Sequence, residues 1–114
     1  MNTITLYGIT NCDTVKKARA YLTEQKIDYV FHDFKKQGVP AALMAIGLTQ
    51  IGWERLLNRK GTTWRKLNAT VQASVVDNES AKAVMLAEPS TIKRPVIQWT
   101  PTRVTVGFTP AEWT

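Results

Sequence analysis

Apolar positions along this chain fall into short β-branched or aromatic runs and longer stretches with helical spacing. The first run, Ile4-Thr5-Leu6-Tyr7, predicts a strand over residues 3–7 that sits centrally in a sheet. After a short loop, Val15, Ala18, Tyr21 and Leu22 lie on one face of a helix that ends near Gln25. Thr10 and Asp13 have capping-box spacing at its start, and Asn11 is a rival cap. Residues 29–34, Tyr-Val-Phe-His-Asp-Phe, predict a second strand. A strand, a crossover helix and a strand make a βαβ unit, whose two strands run parallel.

The middle of the chain predicts short helices. Pro40 suits the first turn of a helix over 41–47, which Gly47 breaks. A second, over 50–58, carries Trp53, Leu56 and Leu57. After a turn at Gly61, Thr62 or Thr63 caps another, anchored by Trp64 and Leu67. Asn78 or Ser80 opens a helix with Ala81, Val84, Met85 and Leu86, ending before Pro89. Then Val96–Trp99 and Arg103–Val106 flank Thr100-Pro101-Thr102, an antiparallel hairpin pattern. Thr109-Pro110-Ala111-Glu112 reads as a helix start, yet only two residues follow it. Either the chain is shorter than its relatives there or a C-terminal helix is missing. The expected architecture is α/β: a mixed four-stranded sheet in the thioredoxin-like arrangement. It forms one domain over 1–114, with an inserted helical subdomain at about 39–90.

Composition fits that picture without naming a function. The 114 residues are 44% hydrophobic and 21% charged, as in an ordinary folded globule. No apolar run reaches the roughly 18 residues of a membrane span. The start Met1-Asn2-Thr3 lacks the basic and apolar regions of a signal peptide. The expected location is cytoplasmic. A net charge of +6 favours anionic partners. The cations are spread along the chain, so the charge points to a small-anion site or a solvated face and not to nucleic acid.

Cys12, the one cysteine, stands where the first strand gives way to the first helix. A thiol in a first helical turn meets unpaired backbone N–H groups and the positive end of the helix dipole. Both favour the thiolate, the reactive form. The alternative is a small buried apolar residue. Lys16, one turn on, adds positive potential, while Asp13 opposes it. Position 15 is Val15, so no C-x-x-C pair exists and an adduct on Cys12 needs an external thiol to resolve it.

Arg94-Pro95 is the second point of interest. With a cis bond it would form a rigid turn beside the first helix, from which Arg94 could hold an oxyanion or carboxylate through its planar fork. The alternative is a surface arginine before an ordinary trans proline. Arg59 and Arg65 are further anion-binding candidates, or members of a surface basic cluster. Asn11 either caps the helix or donates to a sulfur adduct. His32, the one histidine, lies in the second strand, and one His with one Cys gives no support to a zinc site. Trp53, Trp64, Trp99 and Trp113 read as core anchors.

Three segments carry a family resemblance: Tyr-Gly-Ile-Thr-Asn-Cys-Asp-Thr-Val-Lys-Lys-Ala at 7–18, Asn-Arg-Lys-Gly-Thr-Thr-Trp-Arg-Lys-Leu at 58–67 and Ile-Lys-Arg-Pro-Val-Ile at 92–97. With them the chain resembles the arsenate reductase-related family of thioredoxin-like proteins, and within it the YffB-like branch. That resemblance implies a thioredoxin fold with an inserted helical subdomain. Cys12 then occupies the place of the cysteine that attacks arsenate. Arg94 and Pro95 match the arginine before a cis proline, and Arg59 approximately matches an arginine of the helical region, with Arg65 the other choice. Two departures stand out: Gly8 occupies the place of a histidine, and Gly107 falls near that of a third oxyanion arginine.

The leading expectation is a single-cysteine thiol oxidoreductase. It acts through a Cys12 mixed disulfide, with glutathione as co-substrate and no tightly bound cofactor or metal. Glutathione or a glutaredoxin, and a small anionic or thiol substrate, are its expected partners. The alternatives are a glutaredoxin-coupled arsenate reductase, and a protein-interaction or RNA polymerase-binding regulator without a redox switch.

Overall fold

The first strand sends Leu6 and Tyr7 to opposite faces, and a core forms on each. In the computed structural model, which describes residues 4–113, β1 (Ile4–Gly8) pairs in parallel with β2 (Tyr29–Asp33). It pairs antiparallel with β3 (Val96–Thr100), which pairs antiparallel with β4 (Arg103–Val106). The sheet order is β2-β1-β3-β4, so β1 is an interior strand and the sheet is mixed. This is the thioredoxin-like arrangement expected from the sequence.

One face is covered by α1 (Asp13–Glu24). Leu6, Val15, Ala18, Leu22 and Ile97 are fully buried there, and Trp99 and Trp113 close the layer with ring centroids 5.4 Å apart. Burying such a Leu or Val side chain contributes about 1.5–3 kcal/mol each, which fixes α1 against β1. The cap differs from expectation. Cys12 itself is the N-cap, in extended geometry (φ −146°, ψ 120°), with no side-chain cap hydrogen bond. Neither the Thr10/Asp13 box nor Asn11 caps α1, because Asp13 is already its first helical residue.

The other face is covered by the helices between β2 and β3. Tyr7, Phe34, Leu43, Met44, Leu56, Met85, Ile92 and Val96 belong to its core. The second strand stops one residue early. Asp33 turns the chain by accepting hydrogen bonds from the Lys35 and Lys36 N–H groups, and Phe34 begins α2 (Phe34–Gln37). Gly47 does not break its helix: α3 runs Ala41–Gln50. A Cβ on Gly47 would lie 3.3 Å from Leu56 Cδ2, so glycine there serves close packing. The following helix, α4, is only Trp53–Leu56, because Leu57 leaves it to pair with Ile92.

Gly61, and not Thr62 or Thr63, is the N-cap of α5 (Thr62–Lys66). An unforeseen helix, α6 (Ala69–Ser74), is capped by Asn68. Then α7 (Asn78–Ala87) starts from a capping box between Asp77 and Ser80. A 3₁₀ turn (Pro89–Thr91) leads to β3, and a second (Pro110–Glu112) is all that the late helix signal produces among the described residues. No helix among the described residues is long and apolar enough to cross a membrane.

Candidate functional site

Cys12 packs against both cores at the edge where β1 hands over to α1. It is partly buried and lines a pocket of about 230 Å³ together with Thr14, Asn58, Lys93, Arg94, Gly107 and Phe108. Partial burial pushes its thiol pKa up. The Val15 backbone N–H, a hydrogen bond from the Arg94 guanidinium, the charge of that guanidinium and the Thr14 N–H outweigh it, and the net displacement is downward. Helix-start amides thus act together with a cation to favour thiolate.

The Arg94-Pro95 bond is cis, and Pro95 is fully buried. Arg94 Nη1 donates to the Ser90 carbonyl at 2.8 Å, which ties the guanidinium to the 3₁₀ turn. Its Nε is buried without a hydrogen-bond acceptor among the described residues. The pocket's third side is built by a short antiparallel contact: the Asn58 N–H donates to the Thr91 carbonyl at 2.7 Å and the Lys93 N–H to the Leu56 carbonyl at 2.8 Å. That contact carries Asn58 to the pocket beside Lys93 and Arg94.

The structure therefore brings Cys12 and Arg94 together, with Pro95 beside them. Arg59 is exposed and stacks over Trp53, its guanidinium 5.5 Å from the ring centroid. Neither Arg59 nor Arg65 lines the pocket. Asn11 and Lys16 are exposed and do not line it either; the Lys16 backbone N–H donates to the Cys12 carbonyl within α1. His32 bonds the Gly38 carbonyl through Nε2 at 2.8 Å and packs near Tyr7, away from the pocket. Asn58, Lys93 and Phe108 are pocket residues that the sequence did not single out. Lys93 and Asn58 both stand in the segments that carry the family resemblance, 92–97 and 58–67, but nothing local in either segment points to the thiol.

The ArsC family pattern matches residues 7–114, a span that contains every residue of this pocket. The chain belongs to the ArsC family. It lies close to the YffB branch: the structure of the YffB protein superposes with a TM-score of 0.91 at 45% identity, over 97% of this chain and 96% of that one. The solution structure of an arsenate reductase (ArsC) related protein from Brucella melitensis gives a TM-score of 0.75 at 49% identity, over 98% of this chain and 92% of that one. An uncharacterised protein of Haemophilus influenzae is 43% identical over 94 residues, 82% of each chain.

Within this ArsC-family site, the two departures noted in the sequence have structural causes. A Cβ on Gly8 would sit 2.7 Å from Val15 Cγ2, so no side chain fits there while Val15 holds α1 in place. Gly107 has φ +84°, a backbone state that L side chains rarely adopt. Among the described residues, no group of three or more His, Cys, Asp or Glu side chains is arranged to hold a metal ion.

Proposed function

We propose that this ArsC-family protein is a single-cysteine thiol oxidoreductase that uses glutathione as co-substrate. One observation carries the reading: Cys12 and Arg94 line the same open pocket, where the guanidinium and the helix-start amides draw the thiol toward thiolate. Cys12 thiolate attacks the glutathionyl sulfur of a mixed disulfide R–S–S–G. The Cys12–glutathione bond forms, the old S–S bond breaks, and R–S⁻ leaves and takes a proton. The thiolate of a second glutathione then attacks the glutathionyl sulfur on Cys12. Glutathione disulfide departs and Cys12 thiolate returns. The chain's one cysteine makes this external resolution necessary.

Glutaredoxin-coupled arsenate reduction is the second reading, favoured by the Arg94 position and by the likeness to an arsenate reductase related protein. The left-handed backbone at Gly107 and the engagement of Arg59 with Trp53 weigh against a multi-arginine oxyanion clamp. The leading reading also implies a reducing compartment, the cytoplasm. It treats residues 1–114 as one thioredoxin-like domain with its helical insertion at about 39–90. Intact mass after incubation with reduced and oxidised glutathione tests it. Wild type gains one glutathione and Cys12→Ser gains none; a wild type without an adduct in equilibrated buffer sinks the reading.

A further inference from the structure

We propose that Lys93 is the specificity-determining cation of the Cys12 pocket and selects reacting compounds that carry a carboxylate near the reactive atom. This rests on Cys12 being the exchanging thiol.

Among the described residues, the pocket's charged lining residues are Lys93 and Arg94, and no acidic side chain lines it. The two cations are held differently. Arg94 is committed, since Nη1 is bonded to the Ser90 carbonyl and the guanidinium acts on the Cys12 sulfur. Lys93 is anchored through its backbone to the Leu56 carbonyl, and its ammonium has no acidic partner among the described residues. Its side chain is exposed.

Gly107 lies beside that lysine. A Cβ on Gly107 would be 4.0 Å from Lys93 Cε, so the lysine stem passes over bare glycine backbone. The Gly107 N–H is bonded to the Pro95 carbonyl at 2.8 Å, which holds this strip of backbone beside the cis turn. A side chain at 107 would be strained by φ +84°, while its Cβ would make only an ordinary van der Waals contact with the lysine stem. The lysine thus sets a flexible point charge at the pocket rim, against the Gly107 backbone. Phe108 adds an apolar surface beside it. A thiol compound whose sulfur meets Cys12 and Arg94 would present a nearby carboxylate to Lys93. A lysine tolerates variation in that carboxylate's position better than a fixed arginine fork does.

A pair of alkylating reagents separates charge selection from thiol reactivity. With iodoacetate and iodoacetamide the Cys12 thiolate does the same chemistry, forming an S–CH₂ bond as iodide leaves. The reagents differ in one negative charge. The ratio of their rates cancels any change in thiolate fraction. Lys93→Ala lowers the iodoacetate-to-iodoacetamide ratio by about fivefold, the upper range for one partly screened charge. Lys93→Glu lowers it further, Lys93→Arg restores most of it, and high salt compresses the differences. A ratio that neither Lys93→Ala nor Lys93→Glu moves overturns the proposal. If the ratio responds but no glutathione adduct forms, the glutathione reading fails while carboxylate selection stands. An adduct with an unresponsive ratio sinks only the role of Lys93. A thiol inert to both reagents overturns both.

Discussion

On the α1 side of the pocket, the groups that favour Cys12 thiolate are the backbone amides of Val15 and Thr14; on the β3 side, the group is the Arg94 side chain. The first wall is a property of helix geometry. Its N–H groups stay wherever a helix begins at Asp13, whatever side chains follow. The second wall is removable, since one substitution deletes its charge. The walls also differ in support. α1 is clamped by fully buried side chains, whereas Arg94 is tied by one hydrogen bond to a 3₁₀ turn. The difference separates two ways to perturb the same sulfur, one through packing and one through charge.

The largest effect comes from disturbing the packed wall. Gly8→Ala forces a Cβ to within 2.7 Å of Val15 Cγ2, in a region where Val15 is fully buried. Overpacking of this kind costs about 1–3 kcal/mol in unfolding free energy. Val15→Ala removes the clashing methyls, so Gly8→Ala should cost less in the Val15→Ala background. Denaturant unfolding of the two single variants and the double variant reads that coupling. Simple additivity would show that Gly8 does not set the approach of α1 to β1.

Disturbing the charged wall acts on the thiol. Arg94→Ala moves the Cys12 pKa upward, because it deletes both a hydrogen bond and a charge that lower it. A hydrogen bond to a charged group contributes about 1.5–3 kcal/mol in a sheltered site. Screening in this open pocket reduces that to about 1 kcal/mol, or roughly fivefold less thiolate at neutral pH. Iodoacetamide rates against pH provide the measurement. The wild-type midpoint lies below the ordinary thiol value of about 8.5, and Arg94→Ala shifts it up. The sign carries over to stability. A depressed folded pKa adds stability above the unfolded thiol pKa, and that increment disappears as pH falls through the folded value. A wild-type midpoint at or above the ordinary value would remove the electrostatic role of both walls.

The packed wall was largely legible in the sequence. Val15, Ala18 and Leu22 have strict helical spacing, and Leu6 and Ile97 lie in clear strand runs, so the βαβ unit and hairpin followed from local pattern. Cys12 and Arg94-Pro95 were visible for the same reason, each at the edge of a readable element. The cap of α1 is not legible, because Thr10, Asn11 and Asp13 all have side chains suited to capping, while Cys12 holds the N-cap position with no side-chain cap hydrogen bond. The third side of the pocket was hidden. Asn58 reaches it through the pairing of Leu57 with Ile92, a contact between segments more than thirty residues apart that no local period announces. Gly47 misled in the same way, since it accommodates Leu56 from another helix.

The smallest effect tests whether the α1 wall truly acts through its backbone. Among the groups that lower the Cys12 pKa, the Thr14 N–H contributes least. Thr14 is the second residue of α1, a first-turn position where proline is tolerated because the N–H has no partner within the helix. Thr14→Pro deletes that N–H and should raise the thiol midpoint by less than Arg94→Ala does. Thr14→Ala keeps the N–H and deletes the hydroxyl, so its shift should be smaller still. The order Arg94→Ala, Thr14→Pro, Thr14→Ala, read from the same pH–rate profiles, is what a wall made of amides requires. If Thr14→Ala matched or exceeded Thr14→Pro, the hydroxyl and not the amide would be the interacting group, and the contrast between a backbone wall and a side-chain wall would fail.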